Sequence, residues 1–344
     1  MSRAFAAFLD EAVAKGVSCG LAVSIGSSQE TFYEDGHGTL ALGESTRVTA
    51  ATLFDVASLT KVMVTATLVA QAVDEKKLSL EQCVGPFLLR HLLCHASGLP
   101  AWKPYYEKLA AGASSAQAKR LYRDWILEEP LETEPGERAC YSDLGFMFLG
   151  FWLEDIFADD LSRLAQVRVF DVLRMKSTAY GPVDKTKVAA TEHCPVRHRV
   201  LRGEVHDLNA FALGGAAGHA GIFSSVHDVG LFAKAILRNL TGQVLVAKPE
   251  TLRQFAQKQH LPPDSTWALA WDTPSAKYSS AGGKWPRDGI GHLGFTGCSI
   301  WLDPTHDFYV TCLSNRVHPD VQNEKIKVFR PTLHDEAVTL FRKG

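Results

Sequence analysis

Strand-like runs at both ends of this 344-residue chain, with helix-like runs between them, restrict its fold more than any other feature. Residues 19–26 and 30–36 read as two strands joined by a short serine-rich turn. Residues 298–302 and 308–313 read as two more, separated by the turn Asp303-Pro304-Thr305-His306-Asp307. Between these ends, residues 61–73, 143–156 and 228–237 have helical periodicity interrupted by glycine- and proline-rich loops. Phe5, Phe8, Leu9 and Val13 share one face of a first helix. A last amphipathic helix is expected after Pro331, with Leu333, Ala337, Val338 and Phe341 on one side. The expected fold class is therefore α/β (α+β): an antiparallel sheet built from both termini, flanked by helices, with a mainly helical insertion lobe. The expected division is an α/β lobe over 1–48 and 275–344, a mainly helical lobe over 49–274, and a small-ligand cleft between them.

Apolar residues make up 46% of the chain, ample for a core. A formal net charge of -2 with mixed signs gives no basic stripe, which argues against nucleic acid as a partner. The longest apolar run, 146–153, ends at Glu154 and Asp155, far short of the roughly 18 residues of a membrane helix, so no membrane insertion is expected. Asp10 and Glu11 interrupt what would be the apolar region of a secretory signal. The seven cysteines (Cys19, Cys83, Cys94, Cys140, Cys194, Cys298 and Cys312) are an odd, scattered set without a CxxC pair. That favours reduced thiols and a cytoplasmic location over a disulfide framework or a zinc knuckle.

Phe54-Asp55-Val56-Ala57-Ser58-Leu59-Thr60-Lys61 is an S-x-x-K segment entering an apolar helix. Three residues apart on a helix, a serine and a lysine share a face, so the amine can reach the hydroxyl. A serine at the helix start also lies near the positive end of the dipole, which favours a developing oxyanion. A desolvated lysine can be the base that serine needs. Alone the signal is weak, because about one S-x-x-K is expected by chance in such a chain, and a helix-capping serine with a surface lysine is then the better reading.

Two further segments follow in order. Cys140-Tyr141-Ser142-Asp143 opens the second helix, and Gly291-His292-Leu293-Gly294-Phe295-Thr296-Gly297 leads into the penultimate strand. S-x-x-K, then a Y-x-N-like triplet, then K/H-x-G resembles the serine β-lactamase and penicillin-binding-protein superfamily, especially its class C β-lactamase, D-alanyl carboxypeptidase and esterase branch. The phrases HLLCHASGLP (91–100), GHAGIFSS (218–225) and GHLGFTGCSIWLDP (291–304) extend the resemblance over nearly the whole chain. RGEVHDLNAFALGGAAGHAGIFSS (202–225) and SNRVHP (314–319) are similar to the subgroup of exo-acting N-acetylmuramoyl-L-alanine amidases of cell-wall recycling.

The resemblance implies a β-lactamase/transpeptidase-like fold without a cofactor or metal. It implies Ser58 as nucleophile, Lys61 as its activating partner and Tyr141 as phenolate or hydrogen-bond relay. His292 stands where the family has lysine or histidine, and the backbone N–H groups of Ser58 and Phe295 would form the oxyanion hole. The reaction implied is acylation of Ser58 followed by attack of water.

Two departures bear on this. Asp143 replaces the asparagine of Y-x-N, so a carboxylate would pair with Lys61, hold its pKa up and move base work toward Tyr141. Leu293 replaces the usual threonine. With a neutral His292 beside it, recognition of the β-lactam carboxylate is weakened, and Arg316 could supply the anion contact instead. Gly294, His206, Asn209 and His219 complete the expected substrate-binding set, although a structural turn explains His206-Asp207-x-Asn209 equally well. His95 is expected to fix a turn, Cys94 and Cys298 to be small buried residues, and Gly214, Gly215 and Gly218 to permit close backbone approach.

The expected activity is hydrolysis of an amide or ester through acyl-Ser58. A cell-wall-derived muropeptide is the favoured substrate, with weak β-lactamase activity. The alternatives are a promiscuous carboxylesterase of the same fold and a penicillin-binding or sensor-like protein with little turnover.

Overall fold

The computed structural model describes residues 2–342. Helix α1 (Ser2–Ala14) leads into strands β1 (Gly20–Gly26) and β2 (Thr31–Gly38); strands β3 (Ile290–Leu293), β4 (Ser299–Asp303) and β5 (Phe308–Ser314) lie near the other end. They form one five-stranded antiparallel sheet in the order β3-β4-β5-β1-β2. The chain ends meet where β1 pairs with β5, Leu21 opposite Ser314 and Ile25 opposite Val310. This is the sheet that the terminal runs announce.

Every residue of β1 and β5 is buried, as in strands covered on both faces. Alternation then assigns the two sides. Leu21, Val23 and Ile25 join Phe5 and Leu9 of α1 and Phe329, Leu333 and Ala337 near the carboxyl end. Ala22 and Leu313 belong to a second, larger core with Val229, Phe232 and Ile236.

The intervening helices that matter here are α2 (Thr67–Asp74), α3 (Asp143–Phe157) and α4 (Val226–Leu240); α5 (Ile326–Phe341) closes the chain. Helix α2 continues a π-helical stretch, Lys61–Ala66. Helix α4 packs against β1, β4 and β5, so the packing of segment 49–274 does not stop at the expected lobe boundary. Helix α5 begins five residues earlier than the proline signal suggests and carries Pro331 inside it. Proline removes one backbone hydrogen bond. Burial of Ile326 and Phe329 and the bonds made by Arg330 outweigh that loss.

A small sheet sets the nucleophile segment. Phe54–Asp55 pairs with Ile222–Ser224, which pairs in turn with Ala179–Tyr180. Gly218 lies so close to α3 that an added Cβ would meet the Phe146 carbonyl at 2.1 Å. Close approach, not a phosphate cradle, is what that glycine permits. No helix among the described residues is long and apolar enough to cross a membrane.

Candidate active site

Ser58 follows the strand Phe54–Asp55 and precedes the π-helical turn, an irregularity common at functional sites. Ala57 before it has φ +49°, a left-handed conformation that costs a non-glycine residue energy. Asp55 supports this bend: its Oδ1 accepts from Ala57 N at 2.9 Å, and its Oδ2 from His206 N at 2.7 Å.

The π turn carries Lys61, whose side chain is wholly buried. Its Nζ donates to Ser58 Oγ at 2.9 Å, Asp143 Oδ1 at 2.7 Å and the His219 carbonyl at 3.3 Å. The ammonium also lies 4.7 Å from the ring centre of Tyr141 and 5.6 Å from that of Phe146. Burial disfavours its charge, but Asp143, with Tyr141, more than offsets this and holds its pKa above the usual lysine value. The serine–lysine reach expected from the spacing is present, and so is the Asp143 pairing.

Tyr141 and Asp143 reach the site through the start of α3. Ser142 caps that helix, accepting from Gly145 N at 3.2 Å and donating to the Pro100 carbonyl at 2.8 Å. His95, buried with φ +57°, accepts from Ser142 N on Nδ1 at 3.0 Å. Its ring packs 4.6 Å from Tyr141 and 4.4 Å from Trp267. Burial holds its pKa well below the usual range, so it is a neutral structural support, as the loop phrase suggests. Burial likewise raises the Tyr141 phenol, against the pull of Lys61 and the Ser58 hydroxyl.

His292 lies on edge strand β3, 5.9 Å ring to ring from both Tyr141 and Trp267. Its Nδ1 meets the Leu293 carbonyl at 2.8 Å, and burial takes its pKa down to about 3. The imidazole is therefore neutral where a family lysine would carry charge. Gly294 follows, packed so closely that a Cβ would lie 2.5 Å from the Val56 carbonyl. Phe295 begins the turn to β4 with its ring about half exposed. Neither Ser58 N–H nor Phe295 N–H has a protein acceptor among the described residues.

The remaining expected residues divide. His206 lines the cleft, its ring 5.5 Å from Phe295 and its Nε2 3.4 Å from Glu192. His219 also lines it, with Nε2 2.9 Å from Asp207 Oδ1. Asn209 does not. It is fully buried, donates to the Lys103 carbonyl at 2.9 Å and accepts from Tyr106 N and Tyr122 Oη, each at 3.2 Å. On the short helix Leu208–Ala212, its amide is spent on bonds within the protein and not offered to the cleft. Arg316 borders the cleft, but Nε is spent on the Phe295 carbonyl and Nη1 on the Val321 and Asn323 carbonyls. It holds a loop more than it offers a free anion clamp.

Asp143, Asp207 and His219 each bring one ligand-type atom within 4.8 Å of the others. The Lys61 ammonium already supplies positive charge against Asp143 there. These groups surround a cleft of about 860 Å³ with Ser58 on its wall.

A sequence model of the family described as Beta-lactamase matches residues 5–330. The chain belongs to the beta-lactamase family. It is a serine hydrolase of that family. It is 30% identical, over 331 aligned residues covering 84% of it and 75% of the relative, to a "Putative D-alanyl-D-alanine carboxypeptidase" of Salmonella enteritidis PT4. Its fold is similar to that of the octameric penicillin-binding protein homologue from Pyrococcus abyssi (TM-score 0.75, 19% identity, 99% of this chain and 77% of that one). It is equally similar to EstCE1, a hydrolase with promiscuous acyltransferase activity (TM-score 0.75, 20% identity, 96% and 98%).

In this beta-lactamase-family chain, sequence reasoning overlooked Asp55, Glu192, Trp267, Asp272 and Arg330, all lining the cleft. Asp55 had a signal, because it sits three residues before Ser58, at the end of the short strand that leads into it. Trp267 and Arg330 had none. One comes from an irregular loop and the other from a helix far along the chain.

Proposed function

We propose that the chain hydrolyses an amide or ester through an acyl-Ser58 intermediate, with a cell-wall muropeptide as the favoured substrate. The observation that carries this reading is the position of Lys61 Nζ, within hydrogen-bond reach of both Ser58 Oγ and Asp143 Oδ1. In the resting state Lys61 is an ammonium and Tyr141 a neutral phenol. For Lys61 to take the seryl proton, it passes one of its own to Asp143, across 2.7 Å. Ser58 Oγ then bonds the acyl carbon, and the bond to the leaving group breaks. Tyr141 gives its proton to the leaving atom and is refilled by Lys61, which recovers its own proton from Asp143, so the net movement is one proton from serine to leaving group. Water repeats the path in reverse and releases the acid. Tyr141 thus acts as relay, because burial makes its phenolate costly. The Ser58 and Phe295 N–H groups receive the oxyanion.

The muropeptide preference rests on the likeness of segments 202–225 and 314–319 to the amidase subgroup and on the carboxypeptidase name of the relative. The seven free thiols support a reducing compartment. A carboxylesterase activity is favoured by one feature, the neutral His292 beside apolar Leu293, which leaves no cation there for a substrate carboxylate. Labelling with a fluorophosphonate and a fluorescent penicillin, wild type against Ser58→Ala, tests the mechanism; purified muropeptides against short p-nitrophenyl esters test the substrate. Fluorophosphonate labelling that vanishes in Ser58→Ala, with muropeptide turnover, is the expected result. Turnover retained by Ser58→Ala would overturn it. Stable penicillin adducts without turnover would point to a sensor.

A further inference from the structure

A peptide unit is rigid and planar, so a donor bonded to its carbonyl also orients and polarises the N–H across the plane. Phe295 N–H shares its peptide with the Gly294 carbonyl, and Ser58 N–H shares its peptide with the Ala57 carbonyl. Both carbonyls are held by two donors. Gly294 O accepts from Arg330 Nη2 and from Gly297 N, each at 3.0 Å. Ala57 O accepts from Thr60 Oγ1 at 2.7 Å and Thr60 N at 3.0 Å. Thr60 Oγ1 accepts in turn from Ile222 N at 3.5 Å, which completes a directed chain.

Arg330 is buried, and among the described residues no carboxylate lies within ion-pair distance of it. Buried guanidinium groups are ordinarily matched by an acid, because an unmatched charge is costly. This one is matched by carbonyls of a single turn: Gly294, Gly297 at 3.3 Å and Cys298 at 3.1 Å. That turn carries Phe295. Its positive charge therefore stands uncompensated behind the place where negative charge would develop.

We infer that Arg330 and Thr60 are positioning residues that fix and polarise the two peptide units whose N–H groups bind the oxyanion. The inference rests on the acyl-Ser58 reading. Each added bond in such a chain strengthens the next by about 10–30%. Deleting an oxyanion donor outright costs about 10²–10³ in rate, so weakening one through its carbonyl is expected to cost about tenfold.

The test acylates wild type, Arg330→Lys, Thr60→Val and Thr60→Ser with an activated ester carrying a ¹³C carbonyl. The acyl carbonyl stretch is read by isotope-edited infrared difference spectroscopy, alongside acylation and deacylation rates. In Arg330→Lys and Thr60→Val the band moves to higher frequency and both rates fall about tenfold with KM little changed, while Thr60→Ser restores band and rates. An unmoved band in folded variants, whatever happens to melting temperature, overturns the inference. If Arg330→Lys does not fold, the threonine pair decides by the same criterion. Absence of an acyl adduct in wild type, or its persistence in Ser58→Ala, removes the acyl-Ser58 reading and this inference together.

Discussion

Lys61 and Asp143 form an ion pair of 2.7 Å in which the lysine side chain is wholly buried and the carboxylate keeps 19% of its surface exposed. The asymmetry matters. The lysine depends on the carboxylate to remain charged, whereas the carboxylate retains some water. Without Asp143, burial would still lower the Lys61 pKa, and only the smaller upward pull of Tyr141 would oppose it.

Asp143→Asn therefore has a defined sign. The Lys61 pKa falls, so free amine appears at lower pH and the ascending limb of kcat/KM moves toward acid. The carboxylate that takes the lysine proton is also gone, so kcat drops about 100-fold, the scale of a general acid–base contribution. A pH–rate series on both proteins measures both effects. Superimposable curves would sink the coupling.

Gly294→Ala probes the seam between β3 and the nucleophile segment. The new Cβ would stand 2.5 Å from the Val56 carbonyl, backbone that cannot swing aside. Separating the two segments would draw Phe295 N–H away from Ser58. Overpacking of this kind costs about 1–3 kcal/mol. Urea unfolding should show that loss, with a larger proportional fall in kcat than in KM. Unaltered turnover would mean that the contact does not set the site.

Asn209→Ala separates packing from catalysis. Its amide bonds three groups outside the cleft, one of them buried and two partly so. Stability should fall by about 1–3 kcal/mol for stranding them, with kcat/KM of the folded enzyme unchanged. A rise in KM without loss of stability would return Asn209 to the substrate-binding set.

The sheet and the chemical triplet were legible because each rests on local pattern. The apolar run 308–313 and the S-x-x-K spacing are properties of a few adjacent residues. What escaped was non-local. Nothing near Arg330 says that its guanidinium will reach the turn after β3, since that contact spans 36 residues and depends on how α5 lies on the sheet. The start of α5 was misplaced for the same reason: Pro331 is a local stop signal, and tertiary burial of Ile326 and Phe329 overrode it. Asn209 misled because a polar phrase between glycines looks alike whether its side chains face a cleft or a turn.

Chelation tests the meeting of Asp143, Asp207 and His219. A divalent ion there would have to sit against the Lys61 ammonium, 2.7 Å from one of its own ligands. Prolonged treatment with EDTA should leave turnover unchanged, and added zinc should inhibit by competing for Asp143. Loss of activity on chelation, restored by a metal, would replace the lysine relay with metal chemistry.

His292 offers a stability test that isolates one group. Burial sets its pKa at about 3 in the folded chain, against an ordinary value of 6.5. Between these values the unfolded chain binds a proton at this position that the native chain does not. Native stability due to this residue is therefore intact above about pH 6.5 and lost as the pH falls toward 3, at about 1.4 kcal/mol per pH unit. Asp55, Asp228 and Asp272, whose carboxyls burial pushes upward, work in the opposite direction, so the wild-type curve alone mixes several groups. His292→Gln removes a single member of that set and keeps a polar side chain of similar reach. Unfolding free energies at pH 7, 6 and 5 should show the variant gaining on wild type with each step toward acid. Parallel curves would mean that His292 titrates normally, and the neutral imidazole on which the carboxylate argument depends would be lost with it.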